Sequence, residues 1–343
     1  MLLTFMIGNL FARCLLFLLP KRIVDRIVEN SGEMTVYVLR TSTVRKKQRM
    51  TTLVEGVFAT LLFDLALFGT SSPLINGLIW LFTTLQNSWD KPFKSKQHAI
   101  SQVTEFCERL NIQQDPWIWE KKKDEYTSLN DFFSRRYAPN HFPRIGSAAV
   151  VSPACCTLSR YANDTELRSI LIKGCDYELS KIGLPSEDVP LYNKNDIFIG
   201  YLSPTDYHWV HAPIQGTCIY CQMESTDSLS ASVKFFGGKF NILNGNRRLI
   251  VVIETISSRT KKENLRVAIV IVGGVGVDTI VFDPTMVGKT IEKGQGLSAF
   301  RAGGSAVAMF STKPLDLLPH FEEASREFRS VEVLVGESLA DMK

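Results

Sequence analysis

The chain has 343 residues, of which 45% are hydrophobic, and its 39 basic and 35 acidic side chains leave a net charge of +4. This composition excludes a disordered polymer, and so small a charge gives no argument for nucleic acid as a partner. The seven cysteines are odd in number and irregularly spaced, which excludes a secreted disulfide framework and indicates a reducing compartment.

The first 22 residues predict a membrane anchor or a targeting segment. Residues 1–19 are apolar except for Thr4, Asn9 and Arg13, and Pro20-Lys21-Arg22 closes the stretch. Its length is close to the roughly 20 apolar residues of a spanning helix. No small-residue cleavage site follows the stretch, which favours a retained anchor. A removed targeting peptide stays open as the alternative.

Residues 23–125 predict a helical, membrane-associating region. Two apolar segments, 54–68 and 74–85, are separated by a breaker at 69–73, and each is short for a full span. They predict a helical hairpin that is buried or lies in a bilayer interface. The basic cluster at 45–49 would meet anionic lipid head groups, with a solvated charge run as the alternative. The balance favours a membrane surface.

Residues 126–343 predict a β-rich domain. Cys218 and Cys221 form a lone CxxC, which favours two thiols on a strand over a zinc site, so we expect no metal. The fold class is therefore α+β, with a helical membrane-associating N-terminal region followed by the β-rich domain. Short β-branched runs predict strands at 197–202, 249–255, 267–272, 279–282, 306–310 and 331–335.

Two segments of this domain stand out chemically. His208 and His211 are two of only five histidines, and on a turn this spacing lets both side chains face one cleft. Far downstream, Gly303-Gly304-Ser305 precedes an apolar run. Taken alone, that tripeptide indicates only a turn.

Seven collinear segments resemble the phosphatidylserine decarboxylase family, and together they cover roughly residues 100–343. The most specific is Asp-Tyr-His-Trp-x-His-x-Pro-x-x-Gly at 206–216. The others are Asn-Asp-Phe-Phe-Ser-Arg-Arg at 130–136, Val-Ser-Pro-Ala at 151–154, Lys-Gly-x-x-Tyr at 173–177, Asn-Arg-Arg at 246–248, the glycine-rich strand at 272–280 and Val-Gly-Glu-Ser at 335–338.

The resemblance implies a self-cleaving enzyme. The Ser305 hydroxyl would attack the carbonyl of Gly304, and the serine would become a covalent pyruvoyl cofactor. His211 would be the base of this cleavage, His208 would protonate the decarboxylated substrate, and Tyr207 would orient His208.

The same resemblance implies a lipid substrate. Phosphatidylserine would be converted to phosphatidylethanolamine and CO2, with membrane lipids as partners and without nucleic acid. The two cleavage chains would stay associated, and a homo-oligomer is left open. We expect a membrane location, which would be an organelle inner membrane in a eukaryote and the cell membrane in a bacterium.

The sequence departs from the family at Cys155, which stands where the family has an aspartate that orients the histidine base. A thiol lacks the fixed charge of a carboxylate unless its pKa is lowered. Trp209 also replaces the arginine of the histidine motif.

Two alternatives therefore stand beside the leading hypothesis. A cysteine at position 155 is similar to the fungal tryptophan decarboxylases, so one alternative is a decarboxylase of a free amino acid such as tryptophan. The other is a membrane-bound pseudoenzyme that does not cleave itself.

Overall fold

A computed structural model describes residues 33–40, 43–50, 88–110, 112, 118–161, 179–203, 205–224, 247–255, 264–273, 280–301, 305–326 and 331–342. The strands are β1 Glu33–Arg40, β2 Thr43–Met50, β3 Val150–Val151, β4 Cys156–Tyr161, β5 Ile197–Leu202, β6 Trp209–His211, β7 Gly216–Glu224, β8 Arg248–Glu254, β9 Arg266–Gly273, β10 Ile280–Phe282, β11 Thr290–Ile291, β12 Gly296–Phe300, β13 Ser305–Ser311, β14 Leu315–Leu317, β15 Val331–Val333 and β16 Ser338–Met342. The helices are α1 Lys96–Leu110, α2 Leu129–Phe133, α3 Val189–Tyr192 and α4 Pro319–Arg326, with 3-10 turns at Ser88–Asp90, Pro139–His141 and Leu179–Lys181.

The described strands form one large and two small sheets. The large sheet has the order β11-β7-β8-β9-β13-β5-β4-β15-β1-β2, and all of its pairings are antiparallel except that of β1 with β15. The small sheets have the orders β10-β12-β6 and β14-β16-β3. Strand β13 therefore lies between β9 and β5, near the middle of the large sheet.

The centre of the large sheet is covered on both faces, as its continuous Val and Ile runs require. On β8, Leu249, Val251 and Ile253 pack into one hydrophobic cluster, while Ile250 and Val252 pack into the other. Because successive side chains of a strand point to opposite faces, this one strand contributes to both hydrophobic clusters. A separate aromatic cluster, which includes Phe106, Phe132 and Phe133, joins α1 to α2.

The β-rich domain is confirmed, and so are the six predicted strands. They correspond to β5, β8, β9, β10, β13 and β15, with ends that differ by two residues at most. Cys218 and Cys221 both lie on β7, as the strand interpretation predicted.

The prediction of helix over 23–125 is wrong in part. It holds for α1, but β1 and β2 occupy 33–40 and 43–50. The β-branched run of β1 pairs in parallel with β15, and β2, which carries the basic cluster, then pairs with β1 along its whole length. Tertiary pairing outweighs local helical propensity here. Residues 1–22 and both apolar segments, 54–68 and 74–85, lie outside the described residues.

Among the described residues, no helix has the length and hydropathy needed to cross a bilayer.

Replacing Gly200 with alanine tests the packing of the central sheet. A Cβ at Gly200 of β5 would lie 2.6 Å from Sγ of Cys156 on β4. We expect Gly200→Ala to lower the free energy of unfolding by about 1–3 kcal/mol, because two atoms cannot approach so closely without displacement. Urea denaturation with and without Cys156→Ala measures the coupling. Strictly additive effects of the two substitutions would contradict this contact.

Candidate active site

Ser305 opens β13, where it lies opposite Leu202 of β5 and Gly273 of β9. Its side chain is completely buried, and its Oγ has no hydrogen-bond partner in the described part of the chain. An unpaired buried hydroxyl costs roughly 1–3 kcal/mol, which is a reason to look for a chemical role. Gly303 and Gly304, the other residues of the predicted cleavage point, lie outside the described residues.

The segment that carries both histidines and the strand β5 that precedes it bond to the chain on either side of the predicted cleavage point. Upstream of it, the Phe300 N–H donates to the carbonyl oxygen of His208 over 2.8 Å. Downstream of it, Ser305 pairs with Leu202. The tertiary structure thus brings the histidine segment to the cleavage segment, although no hydrogen bond joins Ser305 Oγ to either imidazole.

His211 is held as a neutral base. Its Nδ1 lies 2.8 Å from the Gly294 carbonyl oxygen, and because a carbonyl can only accept, Nδ1 carries the proton. Its Nε2 then accepts from the Tyr207 hydroxyl over 3.1 Å. Burial lowers the pKa of His211 from 6.5 to about 4, and the nearby positive charge of Arg136 acts in the same direction. His211 is therefore uncharged at neutral pH.

His208 is neutral for similar reasons. Its Nδ1–H donates to the carbonyl oxygen of Asp206 over 2.9 Å, which leaves Nε2 unprotonated. The ring packs on Phe133 with a centroid distance of 3.8 Å. Burial holds the pKa of His208 well below its ordinary value, and the Arg135 guanidinium lowers it further. His208 can therefore take up a proton only at Nε2.

Residues 133–136 clamp the histidine segment. The buried Arg135 donates from Nη2 to the carbonyl oxygens of Thr205 and Asp206, each over 3.0 Å. The Trp209 indole N–H donates to the carbonyl oxygen of Ser134 over 2.7 Å. Together with the contact of Phe133 on His208, these bonds fix the backbone of the segment and the rings of His208 and Trp209. We call residues 133–136 the clamp.

The start of α2 positions this clamp. Ser128 caps the helix by accepting the Asp131 N–H over 3.1 Å. Phe132 and Phe133 at its end are buried in the aromatic cluster with α1. Because α2 ends at Phe133, the next three residues are free to turn across the histidine segment.

Cys155 does not replace the family carboxylate. Its Sγ accepts the Val335 N–H over 3.3 Å and lies 3.9 Å from the Tyr137 hydroxyl oxygen. Burial, with a smaller contribution from the charge of Asp206, raises the pKa of Cys155 to about 12, so the thiol stays protonated. The partner of His211 Nδ1 is the backbone carbonyl of Gly294, a solution that the sequence analysis did not consider.

The predicted role of Tyr207 is wrong. The family resemblance implied that Tyr207 orients His208, but the Tyr207 hydroxyl bonds to His211 and its ring stacks on that imidazole with a centroid distance of 5.6 Å. Burial raises the pKa of Tyr207, so the hydroxyl remains a donor. Tyr137 and Phe142, whose rings lie 4.6 and 6.5 Å from that of Tyr207, were missed because no motif marks them.

The described residues contain no group of three or more His, Cys, Asp or Glu side chains that could hold a metal ion.

The part of the chain that carries the candidate site is similar to known proteins. The family model described as phosphatidylserine decarboxylase matches residues 129–341, more than half of the chain. A phosphatidylserine decarboxylase proenzyme of Halalkalibacterium halodurans is 27% identical over 290 residues, which are 83% of this chain and 98% of that protein. Phosphatidylserine decarboxylase proenzyme 2 of Komagataella phaffii is 27% identical over 215 residues, which are 61% of this chain and only 20% of that protein. The chain thus spans nearly all of the bacterial relative and a fifth of the yeast one.

Acidification should destabilise the folded chain through His211. An unfolded His211 takes up its proton near pH 6.5, whereas the folded one does so only near pH 4. The unfolded state therefore binds more protons between these values, and stability present above pH 6.5 is lost as the pH falls toward 4. We expect a loss of about 3 kcal/mol from this residue, measured by denaturation of Ser305→Ala protein to keep a single chain.

The control for this measurement is His211→Gln in the same Ser305→Ala background. This variant should lose less stability on acidification than the His211 protein. The loss that remains should be the part that protonation of His208 causes. An unchanged dependence would show that His211 is not the group responsible.

Proposed function

The chain belongs to the phosphatidylserine decarboxylase family, and from that premise we propose that it is a self-cleaving, pyruvoyl-dependent decarboxylase that converts phosphatidylserine to phosphatidylethanolamine and CO2. The observation that carries the proposal is the buried, unpaired hydroxyl of Ser305 beside the attached histidine segment. The matched relatives are named as proenzymes, which supports a step of self-processing.

Self-cleavage begins with the Ser305 hydroxyl. Its Oγ attacks the Gly304 carbonyl carbon, the peptide C–N bond breaks, and an ester replaces it while the nitrogen becomes a free amine. Loss of the Ser305 Cα proton then breaks the Cβ–O bond, which releases the Gly304 carboxylate and leaves dehydroalanine. Water displaces the nitrogen as ammonia, and a pyruvoyl group remains at position 305.

His211 is the base that we assign to the first of these steps. Its Nε2 carries the only free lone pair of the ring, and the Tyr207 hydroxyl that bonds to it must turn aside before the Ser305 hydroxyl can reach it. The Gly294 carbonyl fixes the required tautomer. A carbonyl dipole stabilises the resulting imidazolium less than a carboxylate would, so we expect slow cleavage.

The site suits the cofactor because the precursor hydroxyl is enclosed and makes no competing hydrogen bond in the described residues. A pyruvoyl group supplies a carbonyl that condenses with a primary amine and withdraws electrons as a carboxylate is lost. His208 takes the proton that the substrate ammonium must lose, at Nε2, and returns it to the substrate carbon. Its lowered pKa makes the protonated form a strong donor.

Strand pairing supports the continued association of the two cleavage chains. Residues 305–343 would form the smaller chain, and its first strand, β13, is bonded to β5 on one side and to β9 on the other. Strands β15 and β16 pair with β4 and β3 of the larger chain. The smaller chain therefore cannot leave without opening the core.

We place the protein at a membrane surface, because the proposed substrate is a lipid and residues 1–22 predict a membrane anchor or a targeting segment. A free amino acid as substrate has only the cysteine at position 155 in its favour. That thiol bonds to Val335 and approaches Tyr137, and both comparisons name phosphatidylserine decarboxylases.

Intact-mass spectrometry tests self-cleavage. Wild-type protein should give one chain of residues 1–304 and one of residues 305–343 with a blocked amino terminus, whereas Ser305→Ala should stay whole. His211→Gln should slow cleavage at least about 100-fold, because general base catalysis contributes that much. The exposed His141 provides the matched control His141→Gln, which should cleave at the wild-type rate. A wild-type chain that never splits would favour the pseudoenzyme.

Replacing Cys155 tests whether the base works without a side-chain partner. Because Gly294, and not Cys155, bonds to His211 Nδ1, Cys155→Ala should change the cleavage rate by less than roughly fivefold, or about 1 kcal/mol in activation free energy. The rate is read from the time course of the two masses. Complete loss of cleavage in a folded Cys155→Ala protein would show that the thiol takes part.

A further inference from the structure

An exposed glycine, Gly296, lies beside His211. Trp209 and His211 are two residues apart on β6, so their side chains share one face of the strand. Gly296 of β12 lies opposite His211 and is exposed. A side-chain carbon at Gly296 would lie 3.6 Å from the Trp209 ring and 3.7 Å from the His211 ring. The missing side chain thus leaves a gap between indole and imidazole, which we call the recess.

Arg136 stacks on Trp209, the residue that forms one side of this recess. Its guanidinium carbon lies 3.8 Å from the centre of the Trp209 ring, and the side chain is exposed. Its charge is felt at both His211 and Tyr207. No described carboxylate forms an ion pair with it. The charge of Arg136 therefore acts on His211 without an ion pair to any described carboxylate.

The stacking leaves the guanidinium ready to bind an anion. Contact with the indole uses one flat face, whereas the N–H groups point outward in the plane of the fork. The indole is itself fixed, because its N–H donates to the Ser134 carbonyl oxygen. A fork held in place this way matches the two oxygens of a phosphate and loses little side-chain entropy on binding.

We propose that Arg136, stacked on Trp209, binds the phosphodiester of the substrate head group at the mouth of the recess. This assignment rests on the proposed function. The head group has two anionic groups, and its carboxylate must leave as uncharged CO2. An arginine on that carboxylate would stabilise the ground state more than the transition state, which would slow the reaction. The phosphodiester keeps its charge throughout, so a fixed cation on it helps binding without opposing the chemistry.

The proposal also gives a basis for specificity. A free amino acid has no phosphodiester, so it gains nothing from the guanidinium. Charge-assisted hydrogen bonds contribute roughly 1.5–3 kcal/mol, so the head group is favoured by about 10- to 150-fold.

Kinetics with soluble dihexanoyl phosphatidylserine test the assignment in the full chain. Arg136→Ala should raise KM by about 10- to 150-fold, a larger effect than any fall in kcat or in the rate of self-cleavage. Arg136→Lys, which keeps the charge and loses the fork, should fall between the two. Lys194→Ala removes one exposed positive charge after α3, away from the recess, and should match wild type. A fall in kcat or in self-cleavage at unchanged KM would overturn the proposal, because it indicates a structural role.

Calorimetric titration with glycerophosphoethanolamine separates this proposal from the proposed function, because it requires no turnover. Binding to the wild-type protein and its loss in Arg136→Ala support the site even if phosphatidylserine is not decarboxylated. Binding that does not depend on Arg136 overturns it. Inorganic phosphate is the second probe, because it carries the same oxygens, and phosphate binding that survives in Arg136→Ala would also overturn the assignment.

Discussion

The clamp formed by residues 133–136 is the constraint on which the site depends. Each of its four residues contacts the segment 205–209 through a backbone bond, an indole bond or a ring. Arg135 is the centre of this arrangement. Its guanidinium is buried, donates to two carbonyl oxygens of the segment, and lies 4.6 Å from the centre of the Trp119 ring. Without it, those carbonyls would lose their partners in a place closed to water.

A second feature is that the two histidines and the residue at position 155 carry no charge. Both imidazoles are neutral, Cys155 is a protonated thiol, and the tautomer of His211 is set by a backbone carbonyl. The aspartate that the family places at position 155 would add a negative charge to this pocket. Here a dipole that belongs to the fold performs the orienting part of that role. The negative charge that would stabilise the His211 imidazolium is missing. A slow step is sufficient for a self-cleavage that each molecule would perform only once.

The cleavage point that we propose lies where the chain passes from one sheet to another. Strand β12 belongs to a small sheet with β6, and β13 belongs to the middle of the large one. Breaking the chain between them removes no strand pairing, since each strand keeps its own neighbours. The fold can therefore tolerate this cut, and the smaller chain stays in the core that it completes.

The sequence by itself determined the β-rich domain, six of its strands, the candidate nucleophile Ser305 and the two histidines. Those features are local, because apolar periodicity and short motifs involve residues that are close together in the sequence. The tertiary structure alone decided that Tyr207 serves His211 and that Gly294 takes the place of an aspartate. It also decided that Arg136 lies on Trp209 and that 33–40 and 43–50 form strands. Each of these contacts joins side chains or backbone whose positions depend on sheet register or on pairing across the fold, and no local pattern encodes which residue a strand will meet.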